Sequence, residues 1–396
     1  MPTLWEIESD YIRLLKELKH NGVKRDAEFC RPKLAKGRQI CSQIQTELGW
    51  NPGSTKQLGE FLLGEMGYPV LKRTEKGNPS FDKHALEEYQ ELLEADGSDV
   101  AQKVARYRGW QKTYSSNYKA YLDLADKKGI IHPNYKPHGT RTGRCSCELP
   151  NLQQIPRESE KEWNGDLKKA FIPRNTDLHL LLEKPWPDLS STRLIEFDYK
   201  QLETRLSAAV AVEQDLLDAF SYGIDVFQVM ADRLGWDRDS VKLFFYMTLY
   251  GAGIAKIALI FKLDIESATE MKRDFFRAYP NIKKSIDQAK HIAMQDGFIE
   301  YWTGRRRHLT FDHRKAFNSY VQGGAFEIVK RSMLRLRRSI NYPLVLTVHD
   351  SVLVELPAEH CTESTLESIK QTLEAVPESS EMGVKFAVDY KEWGKK

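Results

Sequence analysis

The chain has 396 residues, 41% hydrophobic and 29% charged, a balance that fits a globular protein of two or three subdomains and excludes a disordered one. No apolar run approaches the roughly 20 residues that span a bilayer, and the start, M-P-T-L-W-E-I-E, is neither a signal nor a transit peptide, so a cytoplasmic protein with no membrane partner is expected. The formal charge of +3 identifies no partner, and five scattered cysteines without a histidine cluster read as reduced thiols rather than a zinc site.

Residues 1–130 read as helical, with periodic segments near 5–20, 26–48, 55–66, 83–95 and 98–127, broken at Asn51-Pro52-Gly53 and Gly77-Asn78-Pro79. The last segment interleaves Lys103, Arg106, Arg108, Lys112 and Lys119 with Tyr107, Trp110, Tyr114, Tyr118 and Tyr121. That pattern suits a helix tracking a phosphate backbone, and equally one whose rings are core. Residues 130–200 are rich in proline (Pro133, Pro137, Pro150, Pro156, Pro173, Pro185, Pro187) and close on a strand signal, Arg193 to Phe197, that stops at Asp198.

Helices return from 203 to 297. Within them Arg238, Lys242, Tyr246 and Tyr250 recur every fourth residue before Gly251, so two cations and two rings share one helix face. At 1.5 Å per residue this ladder spans roughly 18 Å, enough to face a nucleoside triphosphate, although a plain amphipathic helix has the same pattern. Pro343 to Leu356 reads as two apolar strands joined by a tight turn at His349-Asp350. Asp198 and Asp350 thus stand at strand ends, where a fold can bring two carboxylates together to hold a pair of divalent ions for phosphoryl transfer; singly, each would be an ordinary turn or cap residue.

These segments resemble DNA polymerase family A, the bacterial DNA polymerase I type. D-Y-K-Q-L-E-T-R from Asp198 to Arg205 is similar to the family's motif A, the ladder to motif B, and V-H-D-S from Val348 to Ser351 to motif C. T-G-R-C-S-C-E-L-P-N-L-Q-Q-I-P from Thr142, T-G-R-R-R from Thr303 and R-K-A-F-N-S-Y-V-Q-G from Arg314 match further, as do thumb-like segments at 54–74 and the end at Asp389 to Trp393. The resemblance implies an α+β, right-hand polymerase architecture: a helical thumb and N-terminal region (1–130), a first part of an antiparallel-sheet palm (131–207), helical fingers (208–308) and a second palm part (309–396). It implies template-directed, primer-dependent DNA synthesis by a monomer, with primer-template DNA and deoxynucleoside triphosphates as partners and a processivity factor, helicase or separate exonuclease as helpers.

By the same resemblance, Asp198, Asp350 and the Tyr199 carbonyl bind two magnesium ions, with manganese as a substitute. Arg238 and Lys242 hold the triphosphate, and Lys242 protonates the leaving pyrophosphate. Gln201, Glu203, Tyr246, Tyr250 and Gly251 shape the nucleotide site, with Gly251 leaving room beside the base pair. Arg144, Asn151, Gln153, Arg205, Arg314, Asn318, Gln322 and His349 are expected on DNA, several at the minor groove, where donors test pair geometry rather than sequence. Two other readings are a catalytically impaired primer-template binding protein, which the retained aspartates and cations oppose, and a single-subunit RNA polymerase, which Glu203 opposes.

Four residues depart from the family pattern. Tyr246 stands where many members have phenylalanine and is similar to enzymes that accept dideoxynucleotides. Phe227 replaces a phosphate-contacting histidine, Ser351 the acid after the motif C aspartate, and Lys200 a small polar residue. Asp26-Ala27-Glu28 has the spacing of an exonuclease motif but reads as structural, without a preceding strand or partner acids. Proofreading and 5′-nuclease activities are expected to be absent because the thumb-like pattern begins within about twenty residues of Met1. Glu203 is expected to crowd a sugar 2′-hydroxyl. Glu203→Ala should therefore raise ribonucleotide incorporation about tenfold in primer extension, and unchanged sugar selectivity would remove that role.

Overall fold

A computed structural model describes residues 3–74, 76–155, 161–163, 167–174 and 191–395; Pro156, Pro185 and Pro187 of the proline-rich stretch fall outside them. The chain forms two compact units, one of Met1–Asn21, Tyr135–Cys147 and Arg174–Lys395, the other of Gly22–Asn134 and Glu148–Pro173.

The first unit is built on a four-stranded antiparallel sheet. Its order is β4-β1-β3-β2, with β1 at Thr192–Tyr199, β2 at Leu344–Val348, β3 at Ser351–Pro357 and β4 at Val388–Glu392. The two apolar runs read from 343–356 are β2 and β3, and their two-residue connection is His349-Asp350, with His349 left-handed at φ 54. Every residue of β2 is buried although it is an edge strand. Helix α1 (Leu4–Asn21) packs beside it, burying Ile7, Tyr11, Leu14, Leu15 and Leu18, and Asn21 Nδ2 donates to the Leu344 carbonyl at 2.8 Å. Each large apolar side chain so buried contributes about 1.5–3 kcal/mol, and a covered edge is protected from pairing with another chain. Read from the sequence with the N-terminal helices, α1 instead belongs to the sheet unit, because its apolar face has the sheet to cover.

Further helices follow β1: α2 (Leu202–Ala211), α3 (Val226–Leu234), α4 (Arg238–Leu249) and the long α5 (Ala316–Ser339). The ladder helix α4 begins at a cap, Asp237 accepting from the Ser240 backbone N–H at 2.9 Å, and ends before Gly251 at φ 71.

The second unit is mainly helical, with a small sheet in which Val23–Arg25 pairs with Ile130–Ile131 and Phe171–Ile172. The strand Val23–Arg25 directly precedes Asp26, against the sequence expectation, but Asp26 caps the helix Ala27–Leu48 by accepting from the Phe29 N–H at 3.0 Å and Glu28 pairs with Arg31 at 2.7 Å, so the D-x-E spacing is a helix start. In the basic aromatic segment most of the rings are core and several cations have partners within the unit. Tyr107, Trp110, Tyr118 and Tyr121 are core, Arg106 pairs with Glu162, Arg108 donates to the Pro52 and Phe81 carbonyls, and Lys119 pairs with Asp123.

A buried ionic cluster ties α1 to α5. Lys330 (0% exposed) meets Glu327 at 2.7 Å and Glu8; Arg305 meets Glu327 at 2.8 Å and also Glu8; His138 Nε2 lies 3.4 Å from Glu8. Burial alone would raise the Glu8 carboxyl, but Lys330 and Arg305 outweigh it and hold Glu8 below its ordinary value of 4.5. A depressed carboxylate stabilises the fold above its unfolded pKa, and that stabilisation is lost as pH falls through the folded value. Thermal unfolding should therefore shift downward below about pH 4.5. Glu8→Gln should cost about 3 kcal/mol near neutrality and flatten part of that acid dependence; an unchanged acid slope would contradict the assignment.

Candidate nucleotide and metal site

The sheet register brings the two strand-end aspartates together. Asp198, exposed in β1, is the Cα partner of Ser351, so Asp350 at the tip of the β2–β3 hairpin is its diagonal neighbour. The Tyr199 N–H donates to the Asp350 carbonyl at 3.3 Å, locking the hairpin tip onto the end of β1. On its other side Asp198 is paired with Asp389 of β4, and Asp389 takes the Lys200 ammonium at 2.7 Å. The cation that departs from the family pattern is thus held by a neighbouring carboxylate. Ser351 is buried, donating to the Val348 carbonyl at 2.9 Å, with the buried Glu196 at 3.4 Å.

A second set of side chains lies over Asp350. The Arg144 guanidinium reaches Glu203 at 2.5 Å and Asp350 at 3.4 Å, and the Tyr250 hydroxyl donates to Glu203 at 2.9 Å. Gln322 also reaches that hydroxyl. Burial raises the Glu203 carboxyl above its ordinary value against the pull of Arg144. Burial and then Glu203 push the Tyr250 phenol well up, which keeps it a donor. Two close approaches require glycine. A Cβ on Gly251 would stand 2.6 Å from the Arg314 carbonyl, and one on Gly323 would meet the Tyr301 ring, whose hydroxyl donates to the Thr142 carbonyl two residues before Arg144. The room expected at Gly251 is taken by the Arg314 backbone.

Along α4 the ladder keeps its polarity. Lys242 is exposed, with Nζ 5.9 Å from the Phe227 ring, while Arg238 is held by Asp225 at 2.7 Å. Burial would raise Asp225, yet Arg238 and two backbone N–H groups at the start of α3 hold it below the usual carboxylate range. Tyr246 and Tyr250 are neighbours, ring centroids 6.0 Å apart, and the Tyr246 hydroxyl shares a hydrogen bond with Thr204 at 3.0 Å. Phe227 is fully buried against Phe245 and Tyr246, so the side chain in the histidine's place is packing beneath the ladder.

Other expected residues fall variously. Gln201 is left-handed (φ 49) where β1 passes into α2, His349 is exposed at the hairpin tip, and Asn318 Oδ1 is a buried acceptor without a hydrogen bond. Arg205 is buried; its guanidinium donates to the Lys200 and Lys385 carbonyls at 3.0 and 2.8 Å and lies over Phe220. Those bonds and its burial give it a structural task in place of the expected DNA contact. Asn151 and Gln153 belong to the other unit, where Asn151 caps a short turn by accepting from the Gln153 N–H at 3.1 Å. Sequence reasoning missed Asp225, although its cap position before α3 was a signal.

Asp198, Asp350 and the Tyr199 carbonyl are hard oxygen donors at one sheet end, which suits magnesium, an ion that takes one or two carboxylates and completes its shell with water and phosphate. Among the described residues no group of three His, Cys, Asp or Glu side chains forms a closed metal cage.

The sequence profile of DNA polymerase family A matches residues 28–395. DNA polymerase I of Lactococcus lactis subsp. cremoris is 29% identical over 366 residues, 86% of this chain and 39% of that protein. DNA polymerase I of Geobacillus stearothermophilus is 27% identical over 423 residues, 98% of this chain and 44% of that one. The chain thus spans less than half the length of these relatives. Among solved structures, the POL domain of Pol1 from M. smegmatis, in complex with DNA primer-template and dNTP, is similar at a TM-score of 0.83 and 23% identity, over 98% of this chain and 70% of that one. That likeness establishes the fold as that of a polymerase domain.

Proposed function

Because the chain belongs to DNA polymerase family A, we propose that it is a DNA-directed DNA polymerase, adding deoxynucleotides to a primer 3′-hydroxyl as the template directs. The observation that carries this reading is the pairing of Asp198 with Ser351, which sets two carboxylates side by side within the unit that also presents the exposed Lys242. Tyr135–Cys147, 191–207 and 309–395 serve as palm, with α1 set against its sheet, 208–308 as fingers, and Gly22–Asn134 together with Glu148–Pro173 as thumb, so the stretch 148–173 expected in the palm goes with the other unit.

Magnesium held by Asp198, Asp350 and the Tyr199 carbonyl would neutralise charge at the α-phosphate and sharpen the attacking hydroxyl. Lys242 receives the triphosphate first, because its ammonium is exposed. Arg238 joins it by exchanging Asp225 for phosphate oxygens, a trade of one charge-assisted hydrogen bond for another. Lys242 then stands on the face from which pyrophosphate leaves and can give it a proton. Tyr246 faces the sugar, and Tyr250 meets the base pair once its bond to Glu203 yields.

Arg144 acts as a placeholder. Before DNA and nucleotide bind, its guanidinium balances Glu203 and Asp350; its transfer to the minor groove of the primer end exposes the Asp350 carboxylate as a correctly paired terminus arrives. Arg314, Asn318, Gln322 and His349 complete that groove contact.

Primer extension on a defined primer-template tests this reading. The unmodified chain should add deoxynucleotides in template order with magnesium, and Asp350→Ala should abolish extension while leaving DNA affinity within about threefold. An unmodified chain that binds but never extends, or an Asp350→Ala chain that loses DNA binding instead of catalysis, would contradict it.

A further inference from the structure

The ring of Phe311 is 95% exposed, the most exposed large hydrophobic side chain among the described residues. It sits on the short link between the strand Arg306–His308 and the turn His313–Lys315. A lone apolar side chain at a surface is ordinary, but this one stands among cations. Arg141 lies close enough to Arg307 for their like charges to oppose, and Arg314 follows in the exposed turn. The acid of the link, Asp312, is paired with Lys315 and also lies near Arg307 and Arg314, one carboxylate among several cations. The link is also pinned beside the end of the ladder, because the Arg314 carbonyl fills the space that a side chain at Gly251 would need.

We propose that Phe311 is a stacking platform for an unpaired base of the template strand just ahead of the templating position, with Arg141 and Arg307 on the adjoining phosphates. The assignment rests on the polymerase reading for its placement. A phenyl ring offers no donor or acceptor, so what it can grip is the face of a base, and in a duplex both faces are already covered by neighbours. Beyond a primer end only the template is unpaired, and Tyr250 and Gly251 mark where the last pair forms. Stacking on a phenyl ring tolerates every base, as copying any template requires, and the arginines add affinity that salt weakens.

The test compares fluorescence anisotropy titrations on two primer-templates with the same duplex, one blunt and one carrying a 5′ template overhang of about six nucleotides. Phe311→Ala should weaken binding to the overhang DNA about tenfold and leave the blunt DNA unchanged, whereas Phe311→Trp should retain affinity. With 2-aminopurine placed at successive overhang positions, the unmodified chain and Phe311→Trp should quench one position that Phe311→Ala does not. Equal weakening on both DNAs, or quenching indifferent to residue 311, would overturn the proposal. Extension by the unmodified chain is measured in parallel. Its failure alongside an intact overhang effect would sink the polymerase reading and keep the stacking site; normal extension with no overhang effect would do the reverse.

Discussion

Antiparallel pairing of β1 with β3, in the register that sets Asp198 opposite Ser351, is the constraint on which the site depends. A slip of one residue would turn Asp198 to the other face of the sheet and bury a charge. The register is protected on both sides: β4 pairs along β1 from Tyr199 to Ile195, and β2, the buried edge, is covered by α1. Stability far from the aspartates therefore becomes accuracy at them. The Glu8, Arg305, Glu327 and Lys330 cluster extends this logic, because Arg305 also packs within 3.3 Å of where a Cβ on Gly143 would stand, directly before Arg144.

On the proposed reading, the resting site is occupied by its own side chains. Arg144 neutralises Glu203 and Asp350, Tyr250 donates to Glu203, and Asp225 holds Arg238. Groups meant to receive a polyanion and a duplex carry counter-charges at rest, which avoids stranding ions in a partly buried cleft. Binding then becomes a sequence of exchanges, in which each released carboxylate or cation is taken up by substrate.

Much of this was legible in the sequence where the signal was local. The every-fourth-residue ladder of α4, the hairpin at His349-Asp350, the strand ending near Asp198 and the helices of the second unit follow from periodicity, caps and glycine. What stayed hidden depends on contacts between distant residues. Arg144 and Asp350 are 206 positions apart, and nothing local in either predicts their meeting. Arg205 looked like a DNA ligand because arginine has five donors wherever it sits; only the folded chain shows it buried, with two of them given to backbone carbonyls. The rings at 107–121 carried no local mark to separate base stacking from core, and burial decided in favour of core for Tyr107, Trp110, Tyr118 and Tyr121.

The central claim is that Asp198 and Asp350 act as one unit in phosphoryl transfer. The most direct measurement is the primer-extension rate of Asp198→Asn, Asp350→Asn and the double variant, each confirmed folded by its unfolding temperature. The account predicts that either single change costs about a thousandfold or more and that the double variant is scarcely slower than the singles, since groups sharing one task are not additive. Two modest losses that multiply in the double variant would show independent roles and contradict it.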